Sequence, residues 1–165
     1  MEELRLAPLA KDEFRRVRHI WIPDDQVLFA GSIQQAFGVE EPEVDFHILE
    51  TETRIIGFFK VDRGFDRNGF ALPWELGIRA FKINHADQSK GFATRAVTAL
   101  RAYLQQHYPD RSSVVLTVNM QNPAALACYL RGGFQDTGEI YTGGIAGPQH
   151  VLRMSLEGSP AAMSG

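Results

Sequence analysis

Apolar residues along this chain recur at two spacings, and the changes between them mark out the elements. Leu4-Arg5-Leu6-Ala7-Pro8-Leu9 alternates and predicts a first strand. Helical spacing follows from about Asp12 to Ile20, ended by Pro23, and again from about Asp24 to Phe37, ended by Gly38. Val44 to Glu50 and Arg54 to Val61 alternate as two strands, with a hairpin turn at Glu52-Thr53. Asp62 to Pro73 contains Gly64, Gly69 and Pro73 and predicts a long loop. A strand from Trp74 to Ile83, a helix from Phe92 to Tyr108 and a β-branched strand from Ser113 to Val118 come next. Asn122 as N-cap and Pro123 at the first helical position begin a short helix that runs to Arg131, where Gly132-Gly133 stops it. Phe134 to Tyr141 and Gln149 to Leu156 are the last strands, joined by a glycine-rich turn.

The expected fold class is therefore α/β of the α+β type, with about seven strands and about four helices. At 165 residues there is length for one well-buried core. No repeat or linker divides the chain, so one domain is expected over residues 1–157, with a small, polar, disordered tail over 158–165. A net charge of −3 argues against a general nucleic-acid surface. No apolar run reaches membrane-spanning length and the acidic start is unlike a secretory signal, so a cytoplasmic protein without a membrane partner is expected. The single cysteine, Cys128, excludes an internal disulfide and reads as core. His47 and His85 lack a second ligand at useful spacing, so no metal is expected.

Chemistry enters at Gln88-Ser89-Lys90-Gly91-Phe92-Ala93, between a strand and a strong helix. A helix start presents unpaired backbone N–H groups and the positive end of a dipole, and so attracts anions. Gly91 and Ala93 allow close approach, and Lys90 adds positive charge. Neither G-x-G-x-x-G nor G-x-x-x-x-G-K-[ST] occurs, which argues against the two better-known phosphate loops.

The spacing Q-x-x-G-x-A resembles the acyl-CoA pyrophosphate loop, Q/R-x-x-G-x-G/A, of the GNAT superfamily of N-acetyltransferases. About thirty residues on, Asn122 to Phe134 matches the pattern N-x-x-A-x-x-x-Y-x-x-x-G-F of the same family at every defined position. The element order is also similar, so the resemblance covers about residues 4 to 156. It implies a mixed, splayed sheet with acyl-CoA in the gap between the fourth and fifth strands. It also implies acetyl-CoA as co-substrate, held by Gln88, Ser89, Lys90, Gly91, Phe92, Ala93 and Thr94. Ile83 would bond the pantetheine arm through its main chain. Two departures are His85, where proline is frequent, and Ala93, where glycine is commoner.

The resemblance further implies that Tyr129 protonates the leaving thiolate. A phenol, with a pKa near 10, is protonated at neutral pH and can do so. Asn122 has two readings, a cofactor contact and a plain helix cap. Glu75 also has two. It shares parity with Ile83 on one strand, so both side chains should face one way and Glu75 is a candidate base acting through water; it is equally placed to cap the strand end. Asp24, Asp25, Glu40, Glu41, Glu43 and Asp45 either draw in a cationic acceptor or form a solvated face. The implied function is direct transfer of an acetyl group from acetyl-CoA to a primary amine: a polyamine, aminoglycoside, amino-acid derivative or protein amine. The rival is a non-catalytic acyl-CoA-binding module. Either is expected as a monomer or homodimer.

Overall fold

Every alternating segment forms a strand within a residue of its expected bounds. They are β1 (Arg5–Leu9), β2 (Val44–Glu50), β3 (Ile55–Asp62), β4 (Glu75–Ile83), β5 (Ser113–Asn119), β6 (Gln135–Tyr141) and β7 (Gln149–Ser155). The computed structural model describes residues 2–158, and its strands join in one sheet in the order β1-β2-β3-β4-β5-β7-β6. The β4–β5 pair is parallel and all others are antiparallel, so the sheet is mixed as expected. Beyond Gly158 the expected tail lies outside the described residues.

The helices are α1 (Asp24–Ala30), α2 (Ile33–Phe37), α3 (Phe92–His107) and α4 (Pro123–Arg131). Two expectations are corrected here. The helix foreseen over Asp12–Ile20 is only a 3-10 turn at Phe14–Arg16. Its apolar spacing reported burial, because Val17 and Ile20 are inside the core, but the backbone between them turns through i→i+3 bonds. The helix foreseen over Asp24–Phe37 is split. Gly31 takes a left-handed φ of 72°, and Ser32 with Gln35 forms a capping box that starts α2 afresh.

Each face of the sheet carries its own core. Leu100 and Leu104 of α3, with half-buried Leu126 and Tyr129 of α4, pack on one face against Phe59, Leu76, Ile83 and Leu116. Ile33 and Ala36 of α2 pack on the other against Phe46, Ile48 and Phe58. No helix among the described residues is long and apolar enough to cross a membrane.

A buried polar chain ties the end of α3 to β2. Tyr108 donates its hydroxyl proton to Asp45 Oδ2 at 2.7 Å, since a carboxylate only accepts. Its oxygen therefore accepts from His47 Nε2–H at 2.9 Å, and His47 Nδ1 accepts the Tyr103 hydroxyl at 2.6 Å. Neutral His47 is thus the Nε2–H tautomer, and burial together with His107 outweighs Asp45 to lower its pKa to about 4. The unfolded state then binds the extra proton between pH 6.5 and about 4, so stability falls as pH falls across that window. Urea melts should show a loss approaching about 3 kcal/mol over it. His47→Gln should flatten that slope by up to one proton, and an unchanged slope would remove His47 from the acid sensitivity.

Candidate active site

The site begins with a fault in β4. Phe58 of β3 faces Lys82, but Lys60 faces Arg79, so β4 holds one extra residue between these pairs. Ala80 takes up the excess with φ 58°, a left-handed conformation uncommon for a residue with a Cβ. Before this bulge Leu76 and Ile78 point towards α3; after it Phe81 and Ile83 do. Side-chain parity has flipped. Pairing with β5 lasts only from Glu75↔Ser113 to Gly77↔Val115, after which the two strands separate.

A groove of about 1040 Å³ fills that separation. It is lined by β4 from Ile78 to Ile83, β5 from Leu116 to Asn119, and the first turns of α3 and α4. Leu28 and Phe29 of α1, Phe70 and Tyr141 close it on the other side, so it passes through the sheet. Leu28 and Phe29 are exposed apolar residues that sequence reasoning missed; exposed positions on an otherwise amphipathic helix were the available signal.

At one end stands the start of α3. Ser89 and Gly91 both adopt left-handed φ, 63° and 83°, and Gly91 is an N-cap with no side-chain capping bond. The first intrahelical bond is Arg95 N–H to Gly91 O, so the amides of Phe92, Ala93 and Thr94 have no helical partner. A Cβ built on Gly91 would meet nothing within 4 Å. Uncapped donors facing open space, beside a groove of this size, suit an anionic ligand with an extended tail.

The loop is tied down on two sides. Gln88 Nε2 donates to Ile83 O at 2.9 Å and to Gln26 Oε1 at 2.8 Å, and Gln26 Nε2 donates back to Gln88 Oε1 at 3.0 Å. Gln88 thus anchors the loop to β4 and α1, a bracing role that the sequence did not show. Buried Asp87 pairs with Arg54, and despite burial these hydrogen bonds hold its carboxyl below the usual range. Lys90 leans to the same carboxylate at 3.9 Å and does not line the groove, whereas Gln88, Ser89, Gly91, Phe92, Ala93, Thr94 and Ile83 do.

Tyr129 also lines the groove. Its ring packs edge-on against Phe81 and Phe134, with centroids 6.1 and 5.6 Å away. Burial, reinforced by Cys128, pushes its phenol well above the usual value, so it stays protonated. Cys128 is half-buried, packs on the core and accepts a weak bond from Thr94. Asn122 does what the cap reading requires, accepting Ala125 N–H at 3.4 Å, and still borders the groove.

Glu75 does not belong to this group. The bulge separates it from Ile83 in parity, so the two side chains lie on opposite faces, contrary to the sequence expectation. It is 1% exposed, outside the groove lining, and accepts from Arg153 Nε at 2.6 Å, Arg153 Nη2 at 3.0 Å, Ser113 Oγ at 2.7 Å and Leu72 N–H at 2.9 Å. Burial alone would raise its pKa, but hydrogen bonds from Arg153, Ser113 and Leu72 outweigh this and hold it below the ordinary value. A carboxylate so engaged is a poor base. Three of the six candidate acids are likewise spent: Glu41 pairs with Lys60 and Arg79, Glu43 with Arg67, and Asp45 with Arg63. Of the six, Asp25 lines the groove.

The family model described as Acetyltransferase (GNAT) domain matches residues 3–135. A Bacillus subtilis (strain 168) protein described as the uncharacterized N-acetyltransferase YbbJ is 25% identical over 160 residues, 94% of this chain and 91% of that protein. The fold is similar to aminoglycoside acetyltransferase AAC(6')-Ib, solved with paromomycin and acetyl-CoA, at TM-score 0.75 and 17% identity over 98% of this chain and 96% of that one. It is also similar to the spermidine N-acetyltransferase of Vibrio cholerae, solved with CoA and spermine, at TM-score 0.68 and 15% identity over 93% and 95% of the two chains.

Glu75→Gln leaves Arg153 beside a neutral amide in a buried setting, although that guanidinium keeps some solvent contact. It should lower unfolding stability by about 2 kcal/mol. Urea denaturation measures this, and an unshifted midpoint would show that the pair contributes nothing net.

Proposed function

The chain belongs to the GNAT acetyltransferase family, and from that premise we propose that it transfers the acetyl group of acetyl-CoA directly to a primary amine, both held in the groove. The observation that carries this reading is the uncapped start of α3 at Gly91, opening into a groove that crosses the sheet beside the Tyr129 phenol. The residue range 1–157 acts as one domain in this reading.

Acetyl-CoA is a substrate here, and each of its parts has a counterpart in the chain. The amides from Ser89 through the first turn at Thr94 are the donors for its pyrophosphate, the Gln88 amide being bonded to His85 O. The edge of β4 beyond Gly77, which β5 leaves unpaired, offers backbone donors and acceptors to an extended pantetheine arm and to the thioester oxygen. Asn122 Oδ1 serves as the cap, which leaves its amide Nδ2 to donate into the groove. The amine enters from the side of α1, where Leu28, Phe29 and Phe70 supply apolar contact.

Transfer forms a C–N bond as the C–S bond breaks, and the departing thiolate needs a proton. Tyr129 is suited to give it, because burial keeps the phenol protonated at every working pH. A pure binding module has no need of that donor, which favours the enzyme over the non-catalytic reading. The solved neighbours bind aminoglycosides and spermine, and this supports an amine as acceptor.

Release of free CoA from acetyl-CoA on a panel of primary amines tests the activity. Gly91→Glu places bulk and negative charge at the phosphate donors and forces a side chain into a left-handed φ. It should abolish the thermal stabilisation by acetyl-CoA in a protein that remains folded by circular dichroism; a retained shift would put the nucleotide elsewhere. Tyr129→Phe should keep that shift and lose ~10²–10⁴-fold in kcat. Wild-type kcat in the variant would retire Tyr129 as the acid.

A further inference from the structure

An amine in the acceptor half of the groove must lose a proton before it attacks, and Glu75, outside the groove lining and bound to Arg153 and Ser113, is not placed to take it. Lys82 is the one groove-lining lysine, and its setting is unusual. It is 3% exposed, follows the Ala80 bulge by two residues, and has its parity set by that bulge towards α1 and α2. Its Nζ donates to Ala80 O and sits 5.1 Å from the Phe58 ring centroid. No carboxylate forms an ion pair with it among the described residues. The neighbouring cations are otherwise supplied: Lys60 meets Glu41 at 2.7 Å, Arg79 meets Glu41 at 2.6 Å and Asp62 at 3.1 Å, and Arg67 meets Asp62 at 2.6 Å. A buried amine without a counter-ion is costly while charged.

We propose that Lys82, in its neutral form, is the proton acceptor for the incoming amine. The assignment rests on the acetyl-transfer reading above. Lys82 lies on the acceptor side of the bulge, on the strand whose open edge faces the thioester, and Tyr129 lies on the helix side of the same groove. Base and acid thus stand on opposite sides of the gap between β4 and β5. The acceptor ammonium passes one proton to Lys82 Nζ, and its freed lone pair forms the C–N bond as the C–S bond breaks. The thiolate takes the Tyr129 proton, and the second proton leaving the nitrogen restores Tyr129. Lys82 returns its proton to solvent, so one proton is released per acetyl group moved.

The electrostatics agree with the geometry. Burial, and secondarily the Lys60 charge, lower the Lys82 pKa from 10.5 to about 7. The charged groups on the elements around it are Lys60 and Asp62 on β3, Glu75 and Arg79 on β4, Asp87 after β4, Asp24 and Asp25 on α1, and Glu41 before β2. Of these acids, Glu41, Asp62, Glu75 and Asp87 are already paired and Asp24 and Asp25 are exposed on the first turn of α1. A base poised near the working pH is the efficient one.

The test compares the full-length protein with K82M and K82R, assaying CoA release on spermidine, kanamycin, glycinamide and a lysine peptide from pH 5.5 to 10, alongside the acetyl-CoA thermal shift. Wild-type kcat/KM should rise to a plateau above about pH 7. K82M should melt no lower than wild type, keep the acetyl-CoA shift, lose ~10²-fold or more at pH 7.5, and show a rate that climbs on towards the pKa of the amine itself. K82R should fail in the same way, since a guanidinium stays protonated. Activity retained in K82R would assign Lys82 to holding a negative charge and overturn the proposal, as would an unchanged pH profile in K82M. Acetyl-CoA binding without turnover of any of the four amines would overturn both this proposal and the transferase reading. No acetyl-CoA shift in the wild type would sink the cofactor assignment at its root.

Discussion

The single extra residue at Ala80 is the constraint on which the rest of the site depends. A strand that kept its register with β3 throughout would carry Glu75 and Ile83 on the same face. With the bulge in place, β4 bends, its pairing with β5 ends at Gly77, and the backbone beyond is left without a neighbour. Unpaired strand edges are costly unless something else bonds to them. An extended ligand arm is one such partner, and the groove in which it would lie exists because the two strands cannot close.

The same displacement sorts the charged residues. On the β7 side of the sheet, Glu75 is locked to Arg153 and Ser113, where it holds strand ends together. On the α2 side, Glu41 and Asp62 bind Lys60, Arg79 and Arg67 in one connected cluster. Glu41, Glu43 and Asp45, which look in one dimension like part of a lure for a polycation, are paired internally, while Asp24 and Asp25 stay exposed on α1. What remains at the bulge is a lysine amine without a counter-ion, buried beside an aromatic ring. That arrangement differs in kind from an acidic acceptor pocket.

The anion-binding loop depends on contacts remote in sequence. Its donors belong to α3, but its position is set by Gln88 reaching back to Ile83 and across to Gln26, and by Asp87 bound to Arg54. These bonds join α1, β4 and the start of α3, which line the groove, to the turn that leads into β3. The loop is thereby held by the same frame that holds the bulge, and the phosphate end and the reacting end of the groove keep a common geometry.

Much of this was legible in the chain itself. Alternation located β1 to β4, because a half-buried strand must place every second side chain inside, and a β-branched run located the buried β5. Asn122-Pro123 and Gly132-Gly133 bounded α4, because helix ends are decided by local hydrogen bonds and dihedrals. The Gln88–Ala93 loop was legible as a helix start with small residues, and Tyr129 through the match of Asn122 to Phe134 with the family pattern. The missed features are those that local spacing does not encode. The burial of Val17 and Ile20 was read as a helix because apolar period reports which residues go inside and not how the backbone takes them there. Parity counting put Glu75 beside Ile83, since it assumes a strand without insertions, and a bulge is defined only by what the partner strand does opposite it. Whether an acid is free, or a lysine lacks a counter-ion, depends on neighbours brought in from other strands. The sequence alone determined the strands, α3, α4 and the anion-seeking loop; the pairing of β3 with β4 decided which side chains meet in the groove.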